Sequence, residues 1–287
     1  MFDVLIIGGG VIGAMIAREI SFYKLNTIVI EKENDVGNVT SMANSAIVHS
    51  GYDPEPNTLK AKLNVLGNSM FDEIASDLDV TFKRIGSLTV ALEEHQLQIL
   101  QDLEKRSKIN GVDVQLLDAK QTKLLEPCLS DDVKGSLFAP TAGIINPFTL
   151  TVHALENAIN NGVKLSLGEE VINIIQNDNY FDVITNKFTY QTKIIINCAG
   201  LFGDKIHSLI EPIDYSINPR KGEYFVLAQL PYNFVNHTIF PLPSSKGKGV
   251  LVSPTTSNNF LVGPSSEWVN DKDDLSTDKP TLDNVKS

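Results

Sequence analysis

A chain of 287 residues is long enough for about two domains around a sizeable core. Its 42% hydrophobic and 21% charged residues are ordinary for a globular protein, while a net charge of −11 and a pI near 4.9 oppose a nucleic-acid partner. Two cysteines, Cys128 and Cys198, imply neither a disulfide framework nor a metal cluster. No apolar run approaches the roughly eighteen residues of a transmembrane segment, and no leader-like hydrophobic region precedes the first strand. A cytoplasmic chain is expected, with peripheral contact at a membrane as the alternative.

Val4-Leu5-Ile6-Ile7 is a continuous apolar run, as in a strand buried on both faces of a parallel sheet. It enters Gly8-Gly9-Gly10-Val11-Ile12-Gly13, a G-x-G-x-x-G pattern, and then a helix over 12–22. Gly8 permits the tight turn, Gly10 lets backbone approach a pyrophosphate, and Gly13 lets the helix lie close on the sheet. The helix aims its N-terminal N–H groups and positive dipole end at phosphate. A second strand, 27–30, ends in Glu31, where a carboxylate accepts hydrogen bonds from ribose hydroxyls and repels a 2′-phosphate. Strand, turn, helix and acid agree on a dinucleotide site.

The polar segment 32–50 contains Thr40-Ser41-Met42-Ala43-Asn44-Ser45-Ala46, small groups that suit a loop against a flat cofactor and equally any surface loop. Residues 57–78 read as a helix capped by Asn57, with Leu59, Leu63, Leu66, Met70, Ile74 and Leu78 three to four apart. A strand over 86–92 and a charged helix over 93–109, closed by Asn110-Gly111, follow. Asp118 and Gln121 form a capping-box pattern, 135–139 reads as a strand, and Asn146-Pro147 opens a helix to about Asn160. Short strands at 163–167, 171–176, 180–185 and 188–190 suggest a β-meander. The apolar strand 193–197 then runs into Cys198-Ala199-Gly200 and a helix over 204–210; such a turn at a strand's carboxyl end is where a parallel sheet admits a ligand. Antiparallel strands are expected at 222–227, 238–240, 249–253 and 260–263, and the polar tail from Ser265 is expected to be poorly ordered. Both cysteines read as buried or semi-buried packing residues.

These residues resemble the glycine-oxidase-like FAD-dependent oxidoreductases of the D-amino-acid oxidase superfamily. Residues 4–32 are similar to its nucleotide fingerprint, 41–51 to its flavin loop, Asn197-Cys198-Ala199-Gly200 to its second FAD motif, and 218–224 with 248–254 to its substrate-domain strands. The Asn-Ser-x-x-x-His-x-Gly loop and Arg-Lys-Gly-Glu-Tyr are most similar to the branch of glycerol-3-phosphate oxidases and dehydrogenases and L-2-hydroxyglutarate dehydrogenases. The resemblance implies an α/β fold, a Rossmann-like FAD-binding domain of the GR2 type interleaved with an antiparallel β-rich substrate domain. Residues 1–78 and 141–214 are assigned to the first, 79–140 and 215–264 to the second, and 265–287 to a polar tail. Members of the superfamily continue further, with a strand, a Gly-rich turn and a helix, so the chain resembles a C-terminally truncated one.

The implied cofactor is FAD, held by Gly8, Gly10, Val11, Ile12, Gly13, Glu31, Lys32, Ser41, Asn44, Ser45, Val171, Ala199 and Gly200; Val171 rests on the resemblance alone. The implied reaction moves a hydride from a small anionic secondary alcohol to flavin N5, with glycerol 3-phosphate expected before 2-hydroxyglutarate. An amine or amino-acid oxidase, or a truncated chain without activity, are the alternatives. The electron acceptor is left open among oxygen, a quinone and a partner protein. His49 is the candidate base, since an imidazole of ordinary pKa near 6.5 suits proton transfer at neutrality, and the resemblance puts it beside the isoalloxazine. His95, His153, His207 and His237 have no motif around them. Arg220 and Lys248 are candidate clamps for an anionic substrate or else part of a solvated face, the reading preferred for Lys221 and Lys246.

Overall fold

The computed structural model describes residues 1–230, 234–243 and 249–286. The opening unit is as expected: β1 (Phe2–Ile7), α1 (Val11–Ser21) and β2 (Thr27–Ile30). The chain continues through β3 (Ile47–Val48), α2 (Leu59–Asp77), β4 (Phe82–Lys83), β5 (Ser87–Ala91), α3 (Leu97–Asn110), β6 (Gln115–Asp118), α4 (Ala119–Leu125), β7 (Gly135–Ala139), β8 (Gly143–Ile145) and α5 (Pro147–Asn160). Then come β9 (Lys164–Ser166), β10 (Val171–Gln176), β11 (Phe181–Thr185), β12 (Thr189–Asn197) and α6 (Gly203–Ser208). The last stretch holds β13 (Arg220–Lys221), β14 (Phe225–Leu227), β15 (Thr238–Pro241), β16 (Leu251–Pro254), β17 (Phe260–Gly263), β18 (Glu267–Trp268) and α7 (Lys279–Lys286).

Among these residues one sheet has six strands in the order β10-β11-β12-β1-β2-β9, with β12, β1, β2 and β9 parallel. Alternation along β1 serves its two faces. Val4 and Ile6 pack with Ala14 and Ala17 of α1 and with Ala154, Leu155 and Ala158 of α5. Leu5 and Ile7 pack with Val171, Ile174, Val183 and Ile206. The alanines let the two helices approach closely over the sheet, which keeps α1 aligned on the turn that precedes it. A second sheet, β14-β17-β16-β15-β5-β7-β6, is built from residues 87–139 and 225–263 and interrupts the first unit in sequence. It is antiparallel apart from the parallel β5–β15 pair.

Several local expectations change. The expected meander strand 188–190 and the parallel strand 193–197 are one element, β12, whose first half pairs antiparallel with β11 and whose second half runs parallel to β1. β9 belongs to the parallel sheet, paired with β2. Thr58, not Asn57, caps α2: its Oγ1 accepts the Ala61 N–H at 3.2 Å, while Asn57 adopts φ 64°. The three-to-four spacing marks α2 as helical but its buried face only at the C-terminal end: Leu59, Leu63, Leu66 and Met70 are exposed, Ile74 and Leu78 pack against the core, and Ala61, Asn68 and Ala75 are buried. Cys128 is exposed and not a packing residue.

The tail is also ordered, in contrast to expectation. Charge holds it: Lys32 Nζ lies 3.3 Å from Asp273, Lys221 Nζ 3.1 Å from Asp274, and Lys272 Nζ 2.6 and 2.7 Å from the two oxygens of Asp204. The Asp278 N–H donates to buried Glu223, and Asp278 in turn accepts the Thr281 N–H at the start of α7. Lys221, expected on a solvated face, has a side chain only 14% exposed and faces both Asp274 and Glu223.

Asp204 gives this anchoring a pH signature. The Ile217 N–H, the Lys272 ammonium and the Lys205 N–H hold its carboxyl down at about 2. A carboxyl depressed in the folded state stabilises it fully above the ordinary carboxylate pKa, and that contribution fades as pH falls through the folded value. Lys272→Met is expected to shrink the stability difference between about pH 5 and about pH 2. Urea unfolding at the two pH values checks this; an unchanged difference refutes it.

Candidate active site

Two cavities lie along one loop, 41–49. The first, of about 410 Å³, opens at the carboxyl ends of β1 and β2 and is lined by Gly8, Gly10, Glu31, Lys32, Ser41, Val171, Ala199 and Gly200. The second, of about 860 Å³, is lined by Asn44, Ser45, His49, Arg220, Lys221, Tyr224 and Phe240, with Thr281, Asn284 and Val285 of α7 on one side. The structure thus brings eight expected cofactor residues into one cavity and places His49 and Arg220 together in the next. Lys248 and Lys246 lie outside the described residues.

In the first cavity Gly8 has φ +109°, and a Cβ there would stand 2.4 Å from the Cys198 carbonyl oxygen. A Cβ on Gly13 would stand 2.0 Å from the Gly8 carbonyl oxygen, so glycine at 13 is what lets α1 start against the turn. No side chain from position 10 caps α1; the Val11 N–H donates instead to Ser41 Oγ at 2.9 Å, tying the loop to the helix start. Ile12 is 63% exposed and touches neither cavity. Glu31 is buried, accepting the Gly9 N–H at 2.6 Å and the Glu33 N–H at 2.8 Å. Each carboxylate oxygen keeps lone-pair capacity for a ribose hydroxyl. Lys32 Nζ sits 3.9 Å from the centre of the Phe202 ring, an aromatic wall that sequence reasoning passed over. The bare glycine turn, helix start and buried acid fit the ADP half of FAD.

In the second cavity the Asn44 side chain is spent on the loop itself. Its Nδ2 donates to the Thr40 and Ser41 carbonyls, and its Oδ1 accepts the Ala46 N–H. Ser45 is hydrogen-bonded to Tyr224, whose hydroxyl pKa is pushed up by burial, so the phenol stays neutral. Arg220 is exposed, its guanidinium 5.3 Å from the centre of the Trp268 ring. His49 is half-buried; its carbonyl accepts from Asn68 Nδ2 at 3.0 Å, and its ring stacks on Phe240. Tyr224 lies inside the Arg-Lys-Gly-Glu-Tyr motif and could have been found there. Phe240 sits in an ordinary apolar strand and carried no signal.

Comparison with known proteins agrees with this geometry. The chain is 49% identical over 278 residues to a glycerol 3-phosphate dehydrogenase of Caloramator mitchellensis, covering 96% of this chain and 58% of the relative. It is 29% identical to a mitochondrial L-2-hydroxyglutarate dehydrogenase of Caenorhabditis briggsae, covering 92% and 63%. Among solved structures, the FAD-bound L-alpha-glycerophosphate oxidase of Mycoplasma pneumoniae superposes with a TM-score of 0.92 at 32% identity, over 99% of this chain and 77% of that one. The chain therefore spans about three-fifths to three-quarters of the length of these proteins. The family model for FAD dependent oxidoreductases matches residues 3–286, nearly end to end, and with the nucleotide turn, the interleaved sheets and the two-cavity loop it establishes that this chain belongs to the FAD-dependent oxidoreductase (DAO) family.

Proposed function

We propose that this chain binds FAD along the 41–49 loop and oxidises a small anionic secondary alcohol, glycerol 3-phosphate. The observation that carries the reading is that this one loop lines both cavities in succession, Ser41 in the first and Asn44, Ser45 and His49 in the second. Gly8, Gly10 and the start of α1 hold the pyrophosphate, Glu31 the ribose, and Lys32, Val171, Ala199 and Gly200 the adenosine surroundings. Flavin supplies a hydride acceptor at N5. His49 takes the substrate's hydroxyl proton as general base. Arg220 clamps the anionic group, and Lys248 is the second candidate clamp. The acceptor that reoxidises the site is oxygen, a quinone or a partner protein.

The 49% identity to a glycerol 3-phosphate dehydrogenase supports that substrate ahead of L-2-hydroxyglutarate. The test is the visible spectrum of the purified chain after incubation with FAD and desalting, followed by anaerobic addition of substrates. A retained flavin spectrum bleached by glycerol 3-phosphate is expected. Bleaching by L-2-hydroxyglutarate alone would move the substrate, and a colourless protein would overturn the cofactor assignment.

A further inference from the structure

Phe240 and His49 stack in the second cavity with ring centroids 5.8 Å apart and planes inclined by 29°. Phe240 is held there: it is 3% exposed and lies on β15, where it pairs with Thr89 of β5. The residues leading into β15 are gripped by buried Glu126. Its carboxylate accepts the Asn236 N–H at 2.9 Å, the His237 N–H at 2.7 Å and His237 Nδ1 at 2.5 Å. On the other side, Asn68 binds the His49 carbonyl and itself accepts from Arg84 Nη1 at 3.0 Å. The imidazole is therefore backed by an aromatic face that cannot swing away.

The face of a phenyl ring is the negative pole of its quadrupole. It attracts an imidazolium more than a neutral imidazole, over separations up to about 6 Å. We propose that Phe240 is a positioning residue for His49, fixing the plane of its ring and favouring the protonated form. That is the form His49 reaches when the substrate's O–H bond breaks and a new N–H bond forms on the imidazole. The inference rests on the reading of His49 as the base and deepens it. Among the described residues, the other charged or titratable groups facing this cavity pull both ways. Arg220 and Lys221 oppose a second positive charge, Glu267 favours it, and half-buried Tyr224 is neutral. A stabilising partner for the imidazolium has a clear task in such surroundings.

The test is an NMR titration of the His49 ring carbon-bound protons in the full chain without flavin or substrate, assigned with His49→Gln. Phe240→Leu is expected to lower the His49 midpoint by about half a pH unit, and Phe240→Tyr to leave it within about 0.2. Pentafluorophenylalanine at 240 keeps the shape and reverses the quadrupole, so it is expected to lower the midpoint even if the leucine variant fails to fold. The same interval should appear in the flavin-reduction rate, whose acid limb moves to lower pH because a weaker base stays deprotonated further down. Unchanged midpoints in both the leucine and the fluorinated proteins, or a tyrosine variant displaced as far as leucine, overturn the assignment. If His49→Ala reduces flavin as fast as the parent, the base reading falls and this inference falls with it; unchanged midpoints overturn this inference alone.

Discussion

His49→Ala is expected to slow substrate-driven flavin reduction by about 10²–10⁴-fold, the usual contribution of a positioned general base. The effect should lie in the rate at saturating glycerol 3-phosphate more than in KM, because the proposed clamp for the anionic group is Arg220, a different residue lining the same cavity. Retention of FAD should be unaffected, since the nucleotide turn, Glu31 and Ser41 are untouched. Stopped-flow reduction under anaerobic conditions measures this directly. A rate equal to the parent's would remove His49 from the chemistry, whereas partial rescue by added imidazole would fix its role as a proton acceptor.

The largest expected loss of stability comes from a residue far from any motif. Glu126 is 2% exposed, and its carboxylate collects two backbone N–H groups and an imidazole nitrogen. Glu126→Ala strands those donors in a buried setting, and removing one partner of such a cluster costs about 3–5 kcal/mol. At about 2–4 °C per kcal/mol for a domain of 150–250 residues, the melting temperature should fall by roughly 10 °C. Glu126→Gln keeps an acceptor oxygen and should recover part of the loss. A change below about 1 kcal/mol in urea unfolding would show that the cluster is dispensable.

The parts of the fold legible in the sequence are those decided by neighbours in the chain. The apolar run 4–7, the glycines at 8, 10 and 13, and Glu31 lie within a single strand–helix–strand unit, so their spacing carries the geometry. The same holds for caps: Asp118 with Gln121 and Asn146 with Pro147 act within one turn, and both form as expected. What the sequence hides depends on distant partners. β12 is one strand because β1 and β11 both claim it, which no window around residues 189–197 reveals. Phe240 reads as one more apolar residue until β15 is laid beside β5 and brought over His49. Lys221 reads as solvated until Asp274, 53 residues later, closes on it. The tail escapes a reading of the sequence for the same reason: its composition is that of a disordered segment, and its partners, Lys32, Asp204, Lys221 and Glu223, are all elsewhere.

Those tail contacts are made by charge and by few apolar groups, so ionic strength grades them. Lys32 with Asp273 is partly exposed and open to mobile counter-ions, whose screening length shrinks to about 3 Å at 1 M salt. Lys272 with Asp204, at 15% and 9% exposure, is reached far less. Concentrated salt would therefore loosen the Lys32–Asp273 contact beside the first cavity, while Lys272 stays on Asp204 and the Asp278 N–H on buried Glu223 keeps α7 at the wall of the second.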